Sequence, residues 1–187
     1  MYRAKHNSNI HTEVFDEKMH ASAVKLLKLE TELRRAIQRE EFCLYYQPII
    51  SSSTGCIVGF EALLRWLHPE RGIVLPAEFI PVAEETGLIT EISYWVLAEA
   101  CRQNQVWNSN NKTLYPLYVS INLSAILFRQ TDLVKRIEHE LKSLSFDTNN
   151  LRLEITESAL MDNPERVNQM LQELRNSGIS LYLDVFG

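Results

Sequence analysis

Three oxygen-bearing side chains recur at nearly equal intervals in the second half of the chain. Asn122, Glu154 and Asp184 are 32 and 30 residues apart, and a further carboxylate, Glu61, precedes them. Carboxylate and amide oxygens are ligands that suit Mg²⁺, Mn²⁺ or Ca²⁺ better than zinc. The intervals predict that Asn122, Glu154 and Asp184 occur at equivalent heights in successive strand–helix units. Side by side, the four residues would form a site for divalent cations. The alternative is that each is an isolated polar residue at a strand end, satisfied by backbone or by a neighbouring arginine. The pattern alone leaves both interpretations open.

Each of these four residues lies in a segment with the periodicity of a β-strand. The segments are 57–66, 118–124, 151–157 and 179–185. Neighbouring side chains of a strand point to opposite faces, so each segment divides into an aliphatic face and a second face that carries the oxygen ligand. Parallel strands covered on both sides are ordinarily apolar on both faces. Because a buried carboxylate is costly unless it is paired or bound to a metal, the carboxylates of the second face are expected to be either paired or part of a metal site.

Arg65 shares the face of Glu61 in the same segment. A guanidinium there would allow an anion to meet a bound cation and a fixed positive charge together. The pattern fits a structural ion pair between Arg65 and a carboxylate equally well.

Strand and helix segments alternate from residue 42 onward. Strands are predicted at 42–50, 56–66, 117–123, 151–156 and 179–185, and helices at 76–85, 89–107, 131–144 and 164–176. Strand–helix units of about 30 residues are typical of a mainly parallel sheet covered by helices. Residues 15–41 are charged, with apolar residues at three- and four-residue steps, and predict a helix that packs along one stripe.

The composition excludes several classes of protein. The 187 residues are 45% hydrophobic and 23% charged, as in a globular protein. A net charge of -5 argues against general nucleic-acid binding. No apolar run approaches the roughly 20 residues of a membrane span, and the N-terminus lacks the apolar core of a signal peptide, so a cytoplasmic protein is expected. The three cysteines lack metal-ligand spacing and predict reduced thiols.

Several segments, in order, resemble the EAL-domain family. They are 46–49, 59–69, 79–89, 119–124, 153–157 and 184–187. The family's eponymous triplet is Glu61-Ala62-Leu63. Each motif is weak by itself, but the ordered set is specific and spans roughly residues 40–187.

This resemblance implies an α/β fold, an incomplete TIM-like (β/α) barrel of the EAL type with one antiparallel strand, preceded by a connector helix. It also implies a phosphodiesterase of bacterial second-messenger signalling that hydrolyses cyclic di-GMP to linear pGpG with Mg²⁺ or Mn²⁺. Cyclic di-GMP is then the expected partner, together with a homodimer formed through the EAL domain.

The resemblance assigns roles to individual positions. The residues that match metal ligands are Glu61, Asn122, Glu154 and Asp184. Glu157 matches a glutamate that holds a catalytic loop in place. The residues that match substrate-contacting positions are Gln47, Leu63 and Arg65, with Arg65 suited to a phosphate.

The resemblance also divides the chain. Residues 1–14 resemble the end of a GGDEF domain, residues 15–41 the connector helix, and residues 42–187 the N-terminal part of an EAL domain. The chain is thus expected to be a truncated piece of a GGDEF–EAL protein.

Two departures from the family pattern bear on activity. The family usually has Asp-Asp-Phe-Gly where this chain has Asp184-Val185-Phe186-Gly187, and valine cannot bind a cation. The family's catalytic lysine and general-base glutamate would follow Gly187. The 187 residues are therefore expected not to form pGpG.

Three hypotheses follow from these departures. The chain is a fragment of an active phosphodiesterase, a degenerate module that binds cyclic di-GMP or a protein partner without turnover, or a decayed remnant without a stable fold.

Overall fold

The computed structural model describes residues 17–110, 115–161 and 163–184, and in these residues a six-stranded sheet forms the centre of the fold. Its strands are β1 (Phe42–Ile50), β2 (Ile57–His68), β3 (Gly72–Val74), β4 (Tyr118–Leu123), β5 (Leu151–Thr156) and β6 (Ser180–Asp184). The order is β1-β2-β4-β5-β6, with β3 paired to β2. β1 and β3 run antiparallel to β2, whereas the neighbours from β2 to β6 are parallel. The mainly parallel sheet with an antiparallel strand, β1, is confirmed, and the short β3 is a second antiparallel strand.

Helices connect the strands and cover the sheet. They are α1 (Glu17–Gln38), α2 (Pro76–Glu85), α3 (Ile89–Asn110), α4 (Leu133–Ser143), α5 (Glu157–Met161) and α6 (Pro164–Asn176). None of these helices, within the ranges described, is long and apolar enough to cross a bilayer. The predicted ends of β1, α2, β5 and α6 are confirmed, and the other predicted helices and longer strands are present with shifted ends. β3 and α5 were not predicted, because elements of three and five residues are too short to show a period.

The hydrophobic core lies between the helices and one face of the sheet. Val119, Ile121, Leu151, Leu153 and Ile155 are all buried, as the alternation predicts. α3 packs against β4, and the buried Asn104 of α3 donates from Nδ2 to the carbonyl oxygen of Leu117 at 2.9 Å. The sheet is therefore anchored on its aliphatic side, which leaves its other side for the polar residues.

The connector helix α1 packs along only part of its length. Leu33 and Ala36 are buried, whereas Val24 and Leu27 are 50% and 64% exposed. The predicted stripe is thus confirmed only in the C-terminal half of the helix. The helix ends before Glu40, whose φ of 55° turns the chain into β1.

The three cysteines are free thiols in three different environments. Cys101 is buried, Cys43 is half-buried and Cys56 is exposed. Desolvation by burial raises the pKa of Cys101 to about 12. A thiol with such a pKa stays protonated and unreactive at neutral pH, so Cys101 is a packing residue.

Gly59 allows β2 to approach the first residue of β4. It pairs with Tyr118, and a Cβ at this position would lie 2.6 Å from both the carbonyl oxygen and the Cδ2 of that tyrosine. Contacts this short require the strands to move apart. The glycine is therefore needed for the close approach of β2 and β4.

We expect Gly59→Ala to destabilise the protein by about 1–3 kcal/mol because the added methyl group overpacks the strand interface. For a domain of this size, the loss corresponds to about 2–10 °C in Tm. Thermal unfolding followed by circular dichroism measures it. Ser52→Ala, in the exposed turn after β1, is the control and should leave Tm unchanged. An unchanged Tm for Gly59→Ala would show that β2 and β4 can move apart without loss of stability.

Candidate functional site

The four candidate ligands belong to four neighbouring strands of the sheet. Asn122 of β4 is level with Glu154 of β5, as their spacing predicts. Glu61 of β2 pairs with the residue two positions before Asn122, and Asp184 of β6 pairs with Thr156, two positions beyond Glu154. The prediction of equal heights is therefore wrong for Asp184. The strands are staggered, as in a sheet that curves towards a barrel. From β2 to β6 the four residues are therefore displaced stepwise along the strand direction.

Glu61 and Asn122 are in direct contact across the β2–β4 boundary. Asn122 donates from Nδ2 to Oε1 of Glu61 at 2.9 Å. Because the amide nitrogen is used in this bond, the carbonyl Oδ1 is the atom that a cation would bind. The pair thus offers two oxygen ligands from adjacent strands.

Glu154 has a partner that the sequence analysis did not name. Ser120 of β4 is 1% exposed and donates from Oγ to Oε1 of Glu154 at 2.5 Å. The alternation had already placed Ser120 on the same face as Asn122. The signal in the sequence is the position of a serine on the face that carries the carboxylates. A buried hydroxyl on that face needs an acceptor, and a carboxylate provides one.

Asp184 is placed by its backbone at the end of β6, next to β5. Its backbone lies two positions after Tyr182, the residue of β6 that pairs with Glu154. Val185 lies outside the described residues.

Arg65 makes no ion pair with any carboxylate whose side chain the structure describes. Its Nη1 donates to the carbonyl oxygen of Leu64 at 2.8 Å, and its guanidinium carbon lies 5.5 Å from the ring centroid of Tyr45. The sequence left two interpretations of Arg65 open, an anion-binding residue and a structural ion pair. The ion pair is absent among these side chains. The guanidinium is held over an aromatic ring on the polar face.

The remaining predicted residues lie around the same cluster. Gln47 of β1 is the direct cross-strand neighbour of Glu61. Leu63 is half-buried on β2. Glu157 is the first residue of α5, directly after β5, and is exposed. The structure thus brings Gln47 next to Glu61 and places Glu157 at the carboxyl edge of the sheet, where barrel active sites are built.

The guanidinium of Arg152 stacks on two tyrosine rings beside the carboxylates. The Arg152 guanidinium carbon lies 3.2 Å from the ring centroid of Tyr118 and 5.0 Å from that of Tyr182. Burial raises the pKa of Tyr118, and the positive charge of Arg152 opposes this effect. Tyr182 pairs with Glu154 and Arg152 pairs with Ser120, so this stack adjoins the polar cluster.

A cavity of about 540 Å³ opens beside the cluster, between the strand ends and the helices α2 and α3. Leu63, Asn122 and Thr156 contribute to its lining, which is mainly apolar. At its wall, Ser124 donates from Oγ to Oε1 of Glu84 at 2.7 Å and so ties the end of β4 to α2. A mainly apolar pocket beside polar groups is the usual form of a small-molecule site.

The donor chemistry of the cluster fits a hard divalent cation. In the part of the chain that the structure describes, no three His, Cys, Asp or Glu side chains form a metal cluster by themselves. Glu61, Asn122 and Glu154 nevertheless present oxygen atoms from three adjacent strands. Oxygen donors of this kind suit Mg²⁺ or Mn²⁺.

The family model described as "EAL domain" matches residues 30–187. The chain belongs to the EAL-domain family. EAL domains adopt a TIM-like barrel, and the mainly parallel sheet with its helices is the corresponding part of that fold. EAL phosphodiesterases are generally dependent on divalent metal ions, which agrees with the oxygen donors of the cluster.

Known relatives include two proteins of Pseudomonas aeruginosa. The bifunctional diguanylate cyclase/cyclic di-GMP phosphodiesterase MucR is 37% identical over 187 residues, which are 100% of this chain and 27% of MucR. The cyclic di-GMP phosphodiesterase PA2567 is 41% identical over 160 residues, 85% of this chain and 27% of that protein. The chain therefore spans about a quarter of the length of these relatives.

A solved structure of the MucR phosphodiesterase in complex with c-di-GMP superposes on this fold with a TM-score of 0.80 at 38% identity. The match covers 86% of this chain and 64% of the MucR chain. The EAL domain described above thus has the fold of a domain that binds c-di-GMP in MucR.

Proposed function

We propose that this EAL domain is part of a metal-dependent phosphodiesterase that hydrolyses cyclic di-GMP to linear pGpG. The observation that carries the proposal is the cluster at the carboxyl edge of the sheet. There, Asn122 joins Glu61, and Glu154 lies level with Asn122 on the next strand. The names of MucR and PA2567 support the substrate, since both are cyclic di-GMP phosphodiesterases.

The proposed roles follow from the chemistry of the side chains. The residues that would hold Mg²⁺ or Mn²⁺ are Glu61, Asn122, Glu154 and Asp184. When bound, the cation supplies a Lewis acid and lowers the pKa of water, which is the chemistry needed to cleave a phosphodiester. These four residues supply the oxygen ligands, and the strands of the sheet hold them at fixed positions.

The substrate-binding roles fall to residues on the same face. Arg65 carries no competing ion pair among the described side chains, so its guanidinium is available for a phosphate of cyclic di-GMP. Gln47 and Leu63 would contact the nucleotide on either side of Glu61. Glu157, at the start of α5, would hold a loop at the edge of the site.

We also propose the division of the chain and its setting. Residues 15–41 connect the EAL domain to a preceding GGDEF domain, of which residues 1–14, outside the described residues, are the end. The family match begins at residue 30, inside α1. The proposed protein is cytoplasmic and forms a homodimer through its EAL domain.

Binding of cyclic di-GMP without hydrolysis is the second candidate function. One observation favours it: the chain has Val185 where the family usually has a second aspartate after Asp184. A valine side chain cannot replace a carboxylate as a ligand, so one metal site would be weakened.

The two candidates are separated by measuring binding and turnover in the full-length protein with Mn²⁺. For a phosphodiesterase we expect pGpG on chromatography, and Glu61→Gln should lower its formation by more than the 10–100-fold typical of outer-shell partners. Glu85→Gln, at the exposed end of α2, is the control and should have no effect. Calorimetric binding without pGpG would support the second candidate, and the absence of both would overturn the two together.

Arg65→Ala should weaken the binding of cyclic di-GMP. A hydrogen bond to a charged group contributes about 1.5–3 kcal/mol, so the Kd should rise roughly 10–100-fold. Calorimetry measures the Kd. Arg102→Ala, an exposed arginine of α3 paired with Glu99, is the matched control and should leave the Kd unchanged. Equal affinity of Arg65→Ala and the wild type would remove Arg65 from the substrate site.

Val185→Asp should raise the rate of pGpG formation in the full-length protein by at least about tenfold, equivalent to about 1.4 kcal/mol of transition-state stabilisation. The reason is that the substitution restores an oxygen ligand beside Asp184. Val185→Ala changes the size of the side chain without adding a ligand and should leave the rate as it is. If Val185→Asp behaves like Val185→Ala, a second carboxylate is not what limits the reaction.

A further inference from the structure

We propose that Ser120 is a positioning residue that fixes the orientation of Glu154 for a divalent cation. This inference rests on the proposed metal-dependent function and extends it to a residue with no ligand role. Ser120 acts through Glu154 and does not itself bind the cation.

The geometry of the contact is that of a strong hydrogen bond. The hydroxyl of Ser120 lies 2.5 Å from Oε1 of Glu154, at the short end of the range for a hydroxyl that donates to a carboxylate. Ser120 is 1% exposed, so water does not compete for this bond. A serine hydroxyl has one proton to donate, and here Glu154 accepts it.

Glu154 lacks a protein cation among the side chains that the structure describes. Arg152 lies two residues earlier on the same face, but its guanidinium stacks on the rings of Tyr118 and Tyr182. The half-buried carboxylate is therefore held by a neutral donor through one oxygen, and its charge is not cancelled by an arginine. Such a carboxylate is oriented and remains free to bind a cation through Oε2.

Strand β4 repeats this arrangement on its other side. Asn122, two residues after Ser120 on the same face, donates to Glu61 of β2 in the way that Ser120 donates to Glu154 of β5. One central strand thus orients a carboxylate on each of its two neighbours. Partners of this kind around metal ligands typically change metal affinity by 10–100-fold when they are removed.

The test is calorimetric titration of the full-length protein with Mn²⁺ alone. Ser120→Ala should weaken Mn²⁺ binding about 10–100-fold, because Glu154 loses the donor that orients it. In the Glu154→Gln background, Ser120→Ala should cause no further loss, as expected of a residue that acts through Glu154. Ser177→Ala removes a hydroxyl that follows α6 and donates to Glu138 of α4. Ser177 precedes β6, at the opposite end of that strand from Asp184, and its loss should leave Mn²⁺ binding unchanged.

Thermal unfolding without Mn²⁺ separates positioning from stability. If Ser120→Ala lowers Tm but binds Mn²⁺ with wild-type affinity, the hydrogen bond is merely structural and the inference is wrong. An equal loss of affinity with and without Glu154→Gln also overturns it. Failure of the wild-type chain to bind Mn²⁺ would instead remove the proposed metal site, and the inference with it.

Discussion

The clamping of β4 between α3 and the two flanking strands is the constraint on which the site depends. Val119 and Ile121 are buried against the helices, and the hydrogen bond from Asn104 to Leu117 holds the entry to the strand. Because side chains alternate along a strand, burial of these aliphatic residues forces Ser120 and Asn122 to the opposite face. A slip of one residue would bury both polar groups under α3 and expose the aliphatic ones.

Alternation places the polar residues on one face of the sheet, and the stagger of the strands sets their different heights along it. Each carboxylate lies at a different height, so the donors of β4 reach Glu61 below Asn122 on one side and Glu154 on the other. A flat sheet with level ligands would bring the negative charges of neighbouring strands side by side. The strand order places β4 between Glu61 and Glu154, and its neutral donors Ser120 and Asn122 lower the repulsion that a cation would otherwise have to offset.

Two features border the cluster, a stack of tyrosine and arginine side chains and an apolar cavity. Tyr118 lies across Gly59, and the guanidinium of Arg152 stacks on its ring beside the carboxylates. The apolar cavity between the strand ends and the helices α2 and α3 borders the cluster on the other side. The polar cluster and the apolar cavity adjoin at Leu63 and Asn122.

The sequence by itself determined the secondary structure of the longer elements, the parallel sheet and the polar face that carries Glu61, Asn122, Glu154 and Asp184. Those properties follow from the period of hydrophobic residues, which is local, and from an ordered set of motifs. The tertiary structure alone decided the heights of the ligands, the pairing of Ser120 with Glu154, and the stacking of Arg65 on Tyr45 in place of an ion pair. These features depend on register between strands that lie about 30 residues apart or more, and register is set by the packing of whole elements, which no local pattern encodes.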